Sequence, residues 1–174
     1  MNKRKAIAIA KDVLEQLNKM IVASGTTYYE PPYDQDYIED CVSAQDHIDG
    51  LTKNCTVCAL GACLLSYVRL YNDVKIWELR RGILSTLNNT VKKIFGMKQM
   101  QLIESAFEGQ QPMISDFSEQ ELSDAEVDAA INFGERYVKS KSKLRAIMKN
   151  IIANGGVFKP GAPARKRAIK ASSD

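Results

Sequence analysis

The residues that could do chemistry gather in one short stretch. Cys55, Cys58 and Cys63 fall within nine residues of N-C-T-V-C-A-L-G-A-C-L-L, which begins at Asn54, and the first two form a C-x-x-C pair. Such a pair can hold a metal ion or cycle between dithiol and disulfide. With Asn54 as a helix N-cap, Cys55 would stand in the first turn, where the helix dipole favours a thiolate. A thioredoxin-like motif wants a strand before the pair and an alternating strand–helix context, and neither is legible here. Zinc wants four ligands, usually from two paired elements. Cys63 lies five residues beyond Cys58, about 500° around a helix, and so points elsewhere. Cys41 and His47 could complete a set with Cys55 and Cys58, but their C-x5-H spacing is loose and there is no second C-x-x-C. Buried free cysteine packs as a small hydrophobe. Core packing is therefore the leading reading, with a metal site second and redox chemistry third.

Other catalytic patterns are missing from the sequence. His47 is the only histidine, set in D-H-I-D, and no G-x-S-x-G elbow accompanies it. The carboxylates between Glu30 and Asp49 lack the ordered ligand spacing of a calcium loop. Neither a phosphate-binding G-x-x-x-x-G-K-[ST] nor a G-x-G-x-x-G occurs. The expectation is a protein that is not an enzyme and takes no cofactor.

Helices must position whatever the chain presents. Ile7, Ala10, Leu14, Leu17 and Ile21 recur at three- and four-residue steps, predicting a helix over about Lys5–Ala23 that Gly25 ends. A short helix is expected near Ile38–His47. The central helix is expected from Asn54 to Tyr71, apolar around most of its circumference and so buried. Val74–Leu79 favours a strand, and Ile83, Leu84 and Leu87 suggest a further helical turn. Met97–Phe107 reads as a helix stopped by Gly109. Ser118 with Glu121 and Ser123 with Glu126 both match a capping box before a helix over about Asp124–Lys139. A last helix, Lys141–Ala153, buries Leu144, Ile147, Met148, Ile151 and Ile152, and Asn154-Gly155-Gly156 ends it. The fold expected is a mainly α, single-domain helical bundle of five to seven helices, with room for a small β element.

With 174 residues, 45% hydrophobic and 26% charged, the chain suits one soluble domain. No apolar run approaches the ~20 residues of a membrane span. Lys11 and Asp12 cut short any resemblance of the N-terminus to a signal peptide, so a cytoplasmic protein without a membrane partner is expected. The net charge of +3 is too small to imply a nucleic-acid partner, but the charges are blocked. Gln99–Glu135 holds nine acidic residues and no basic one, and Arg136–Lys170 holds eleven basic residues and no acidic one. Such blocks either neutralise each other in space or leave a dipolar molecule.

Two segments stand apart as contact surfaces. In T-T-Y-Y-E-P-P-Y-D-Q-D-Y-I-E-D, residues 26–40, Tyr28, Tyr29, Tyr33 and Tyr37 interleave with acids, and two prolines exclude a regular helix. Tyrosine offers large amphipathic contact area at low entropic cost, so the loop suits a protein partner. Beyond a helical domain over 1–158, residues 159–174 read as a basic flexible tail. There Arg165, Lys166, Arg167 and Lys170 could grip phosphates of a nucleic acid, with Lys139, Lys141, Lys143, Arg145 and Lys149 adding charge along the last helix.

Three passages carry a resemblance: C-T-V-C-A-L-G-A-C-L-L-S from Cys55, Q-L-I-E-S-A-F-E-G from Gln101, and L-R-A-I-M-K-N-I-I-A-N-G-G-V-F-K-P from Leu144. In this order they resemble a group of small proteins encoded by bacteriophages and prophages, over about two thirds of the chain. The resemblance implies a shared fold and hands over no catalytic residue. It also implies a phage protein working in the host bacterial cytoplasm by binding a host protein, including a component of a defence system. Two alternatives stay open: a nucleic-acid-binding accessory protein using the basic C-terminal segment, and a small zinc or thiol-redox protein.

Overall fold

A computed structural model describes residues 1–25, 29–30, 56–71, 84–113 and 122–161. Within them the protein is mainly helical, with a small sheet. Helix α1 spans Lys3–Gln16, β1 Ile21–Val22, β2 Tyr29–Glu30 and β3 Thr56–Val57. Helices follow at Ala59–Tyr71 (α2), Leu84–Phe95 (α3), Met97–Glu108 (α4), Asp124–Glu135 (α5) and Ser140–Ala153 (α6). None of the described helices is long and apolar enough to cross a membrane.

Helix α1 is shorter than its periodicity suggests. The Asn2 side chain caps it by accepting the Lys5 N–H at 3.1 Å. It closes at Gln16, and the two residues expected in its last turn, Ile21 and Val22, form β1 instead. Of the expected stripe, Ala10 and Leu17 are buried, Ile7 and Leu14 are half-buried and Ile21 is exposed, while Ala6, Ile9 and Val13 are fully buried beside them. Pairing with a distant strand decides this, because Ile21 aligns with Thr56 and Val22 with Val57 in parallel.

The same pairing moves the start of the central helix. Thr56 and Val57 are extended in β3, so α2 begins at Ala59 rather than near Asn54. Every residue of α2 from Ala59 to Val68 is buried, as its all-round apolar pattern requires. The remaining helices close on it. Val91, Ile94 and Phe95 of α3, Met100, Ile103 and Phe107 of α4, and Leu144, Ile147, Met148 and Ile151 of α6 join one apolar cluster.

Local signals hold in the C-terminal half. Gly109, at φ 75°, takes the left-handed position that ends α4. Ser123 and Glu126 form a capping box at the start of α5, the Glu126 carboxylate accepting the Ser123 N–H at 3.2 Å. Helix α5 stops at Glu135, short of Lys139, and Tyr137 lies beyond it, half-buried and packed on the core. Gly134 meets the backbone of α4 so closely that a Cβ there would lie 1.8 Å from the Ala106 carbonyl oxygen. After α6 the chain folds back: Phe158 is buried edge-on against Phe133, with centroids 5.1 Å apart. The Lys159 N–H donates to Asn150 Oδ1 at 2.8 Å, and Pro160 is buried, so the domain continues past residue 158.

The expected helix at Ile38–His47, the expected strand at Val74–Leu79 and the Ser118–Glu121 box lie outside the described residues.

Candidate functional site

The small sheet joins three separate segments of the sequence. Its strand order is β1-β3-β2, with β2 antiparallel to β3 and Glu30 aligned with Thr56. Glu30 and Thr56, which flank residues 31–55 in the sequence, are therefore strand neighbours, so these 25 residues begin and end at one strand pair. Those residues include Tyr33, Tyr37, six Asp or Glu and a single Lys.

The helices brace this sheet. The Ala23 N–H donates to the Val57 carbonyl at 3.2 Å, extending the sheet by one bond. Gly25, at φ 75°, then turns the chain in a conformation that favours glycine. Its N–H donates to a Glu108 carboxylate oxygen at 2.5 Å. Burial raises the Glu108 carboxyl above the ordinary range, while the Gly25 N–H and the Lys143 ammonium pull it the other way. Lys143 Nζ itself donates to the Phe107 carbonyl at 2.9 Å, one of the free carbonyls in the last turn of α4. Glu104 lies one turn earlier on α4 and is buried.

Cys58 sits just before α2 and takes the capping role expected of Asn54. Its Sγ accepts the Gly61 N–H at 3.5 Å, the third-residue donor of a helix N-terminus. Burial pushes this thiol up to about 12, the backbone donors of Gly61 and Leu60 oppose that, and the Glu108 and Glu104 charges add to it. Cys63 is fully buried, and its thiol is pushed up by the same desolvation. Both Cys58 and Cys63 are buried in the core, and burial disfavours the thiolate at each.

The other residues expected to act are placed as follows. Tyr29 belongs to β2 through its backbone. Tyr28, Tyr33, Tyr37, Cys41, His47, Cys55, Arg165, Lys166, Arg167 and Lys170 lie outside the described residues. Among the described residues no three His, Cys, Asp or Glu side chains come together in a way that could hold a metal ion.

Two polar contacts between α1 and α2 had no signal in the sequence. Arg69 donates to both carboxylate oxygens of Asp12, through Nε at 3.0 Å and also through Nη2. Lys5 Nζ stands 4.4 Å from the centroid of the Tyr71 ring. Partners 57 residues apart carry no local pattern. The same holds for Glu108, whose role depends on a glycine 83 residues earlier.

The two charge blocks meet where Lys143 of α6 approaches Glu108 and the Phe107 carbonyl at the end of α4. Asp124, Asp128 and Glu135 are exposed on α5, which packs on α4. Arg145 and Lys149 are exposed on α6, which packs on α1. Lys98 with Glu126, at 2.6 Å, ties α4 to α5.

No family model, curated protein or solved structure matches this chain.

Proposed function

We propose that this is a non-enzymatic interaction protein of phage origin that binds a host bacterial protein through the tyrosine-rich acidic segment carried on the small sheet. The observation behind the reading is the Glu30–Thr56 strand pair, at which a 25-residue segment begins and ends on a helical platform. A segment fixed at both ends gives up less freedom on binding than a free tail does. Tyrosines among carboxylates supply amphipathic contact area with a charged rim. The phage origin rests on the resemblance of the three sequence passages. The proposal extends to inhibition of a bacterial defence complex in the host cytoplasm.

Affinity capture from bacterial lysate tests the reading, using the full chain and a Tyr28→Ala/Tyr29→Ala/Tyr33→Ala variant side by side. The partner is expected with the wild type and absent with the variant. Identical capture by both refutes the segment's role. Plaque formation on strains with and without the captured factor tests the defence arm.

A further inference from the structure

The two ends of the described chain build one face, and its chemistry goes beyond the reading above without resting on it. Helices α1 and α6 pack together, and they run antiparallel, since the backbone of Lys3 at the start of α1 meets Gly156 just past the end of α6. Along α1, Lys3, Arg4 and Lys11 are exposed while Ala6, Ile9, Ala10 and Val13 face the core. Along α6, Lys141, Arg145 and Lys149 recur every four residues and so share one face. Arg145 and Lys149 are exposed and Lys141 is half-buried. These six cations make no ion pair with any described residue. Of the acids on α1, Asp12 is held by Arg69, leaving Glu15 as the one exposed carboxylate. Helix α6 has no acidic residue.

Further cations gather at one pole of this face. The Asn2 N–H donates to the Ile94 carbonyl at 2.6 Å, which places exposed Lys93 near the start of α1. Lys159 is exposed and pinned by its backbone to Asn150 of α6.

We infer that the α1/α6 face binds the phosphate backbone of a duplex nucleic acid. A protein partner fits it poorly, because Lys is depleted from protein–protein interfaces whereas nucleic-acid interfaces are strongly positive. The dimensions agree. Each cation row runs over eight residue steps, Lys3 to Lys11 and Lys141 to Lys149, or about 12 Å of helix, and adjacent helix axes lie about 8–10 Å apart. About 12 Å of duplex axis carries roughly seven phosphate charges, comparable with the six cations of the face. Recognition of this kind is sequence-independent and salt-dependent.

The test uses the full chain and fluorescence anisotropy with mixed-sequence duplexes of DNA and of RNA, titrated across salt. Binding to a duplex at low salt is expected, with a log–log slope of about −4 to −5. Arg145→Glu/Lys149→Glu is expected to weaken binding about tenfold or more and to flatten the slope by about 2. Because these side chains are exposed, the variant keeps its fold, which circular dichroism checks. Arg145→Glu alone is compared with Lys98→Glu, the same charge change at an exposed lysine of α4 beside Glu126, which is expected to leave binding nearly unchanged. Absence of binding to either duplex, or equal losses from Arg145→Glu and Lys98→Glu, would each overturn the proposal.

Discussion

The Glu108 carboxylate accepts the Gly25 N–H at 2.5 Å across 83 residues of sequence. That bond fastens the turn after β1 to the last turn of α4, and with the β1–β3–β2 pairing it fixes the place from which the acidic segment departs. The account of the site depends on this bracing, and several consequences can be measured.

Glu108 makes stability depend on pH. Its folded carboxyl is raised above the ordinary value of 4.5, chiefly by burial, so the folded state holds a proton that the unfolded chain has released. This contribution is fully present below about pH 4.5 and is lost as pH rises through the raised folded value. Glu108→Gln keeps an oxygen acceptor for Gly25 and removes the titration. Thermal unfolding followed from about pH 4 to pH 7 should show a flatter profile for Glu108→Gln than for the wild type. Parallel profiles would show that Glu108 does not couple protonation to folding.

Asp12 and Arg69 form a pair that is mostly withdrawn from water, with side chains 10% and 13% exposed. Removing Asp12 takes the charged partner from a mostly buried guanidinium that also reaches Ser66 Oγ at 3.5 Å, so Asp12→Ala should cost about 3 kcal/mol in urea unfolding. Replacing both, as Asp12→Leu/Arg69→Met, should recover most of that loss. A double variant as unstable as the sum of the singles would contradict the pairing.

Gly134 tests the packing of α5 on α4. A methyl group there would meet the Ala106 carbonyl at 1.8 Å, and backbone cannot yield as a side-chain tip can. Gly134→Ala should destabilise by about 3 kcal/mol and lower the unfolding midpoint without changing the denaturant slope. A neutral effect would mean that the two helices are not in contact at this point.

The thiols offer a chemical test. With Cys58 pushed up to about 12 and Cys63 fully buried, neither should be alkylated in the native protein at about pH 8, since the thiolate is the reactive form. Peptide-mapped iodoacetamide labelling should show both modified only after unfolding. Rapid native labelling at Cys58 would restore a redox or metal reading for this position.

Much of the fold is legible in the sequence where its signals are local. Gly109, the Ser123–Glu126 box and Asn154-Gly155-Gly156 mark helix ends within a residue or two, because caps act on their own turn. The apolar steps of α6 name Leu144, Ile147, Met148 and Ile151 as buried, whereas Ile152, expected with them, is half-buried. The N-terminal third is less legible. Ile21–Val22 and Thr56–Val57 look helical until they pair with each other across more than 30 residues, and no periodicity reports a two-residue strand. Phe158 stands outside any periodic element, so its burial against Phe133 has no pattern to announce it. The site is legible only in composition: the sequence marks tyrosines and acids as unusual, whereas Glu108, Gly25 and the cation rows on α1 and α6 come together through tertiary packing alone.

The central claim is that the segment on the small sheet is the binding element. Its most direct test is the dissociation constant of the captured host protein, measured in purified form against the wild type and the Tyr28→Ala/Tyr29→Ala/Tyr33→Ala variant. Aromatic anchors commonly contribute about 2 kcal/mol or more each at an interface, so the account predicts a loss of at least about thirtyfold with the helical fold retained. Equal dissociation constants for the two proteins would contradict it.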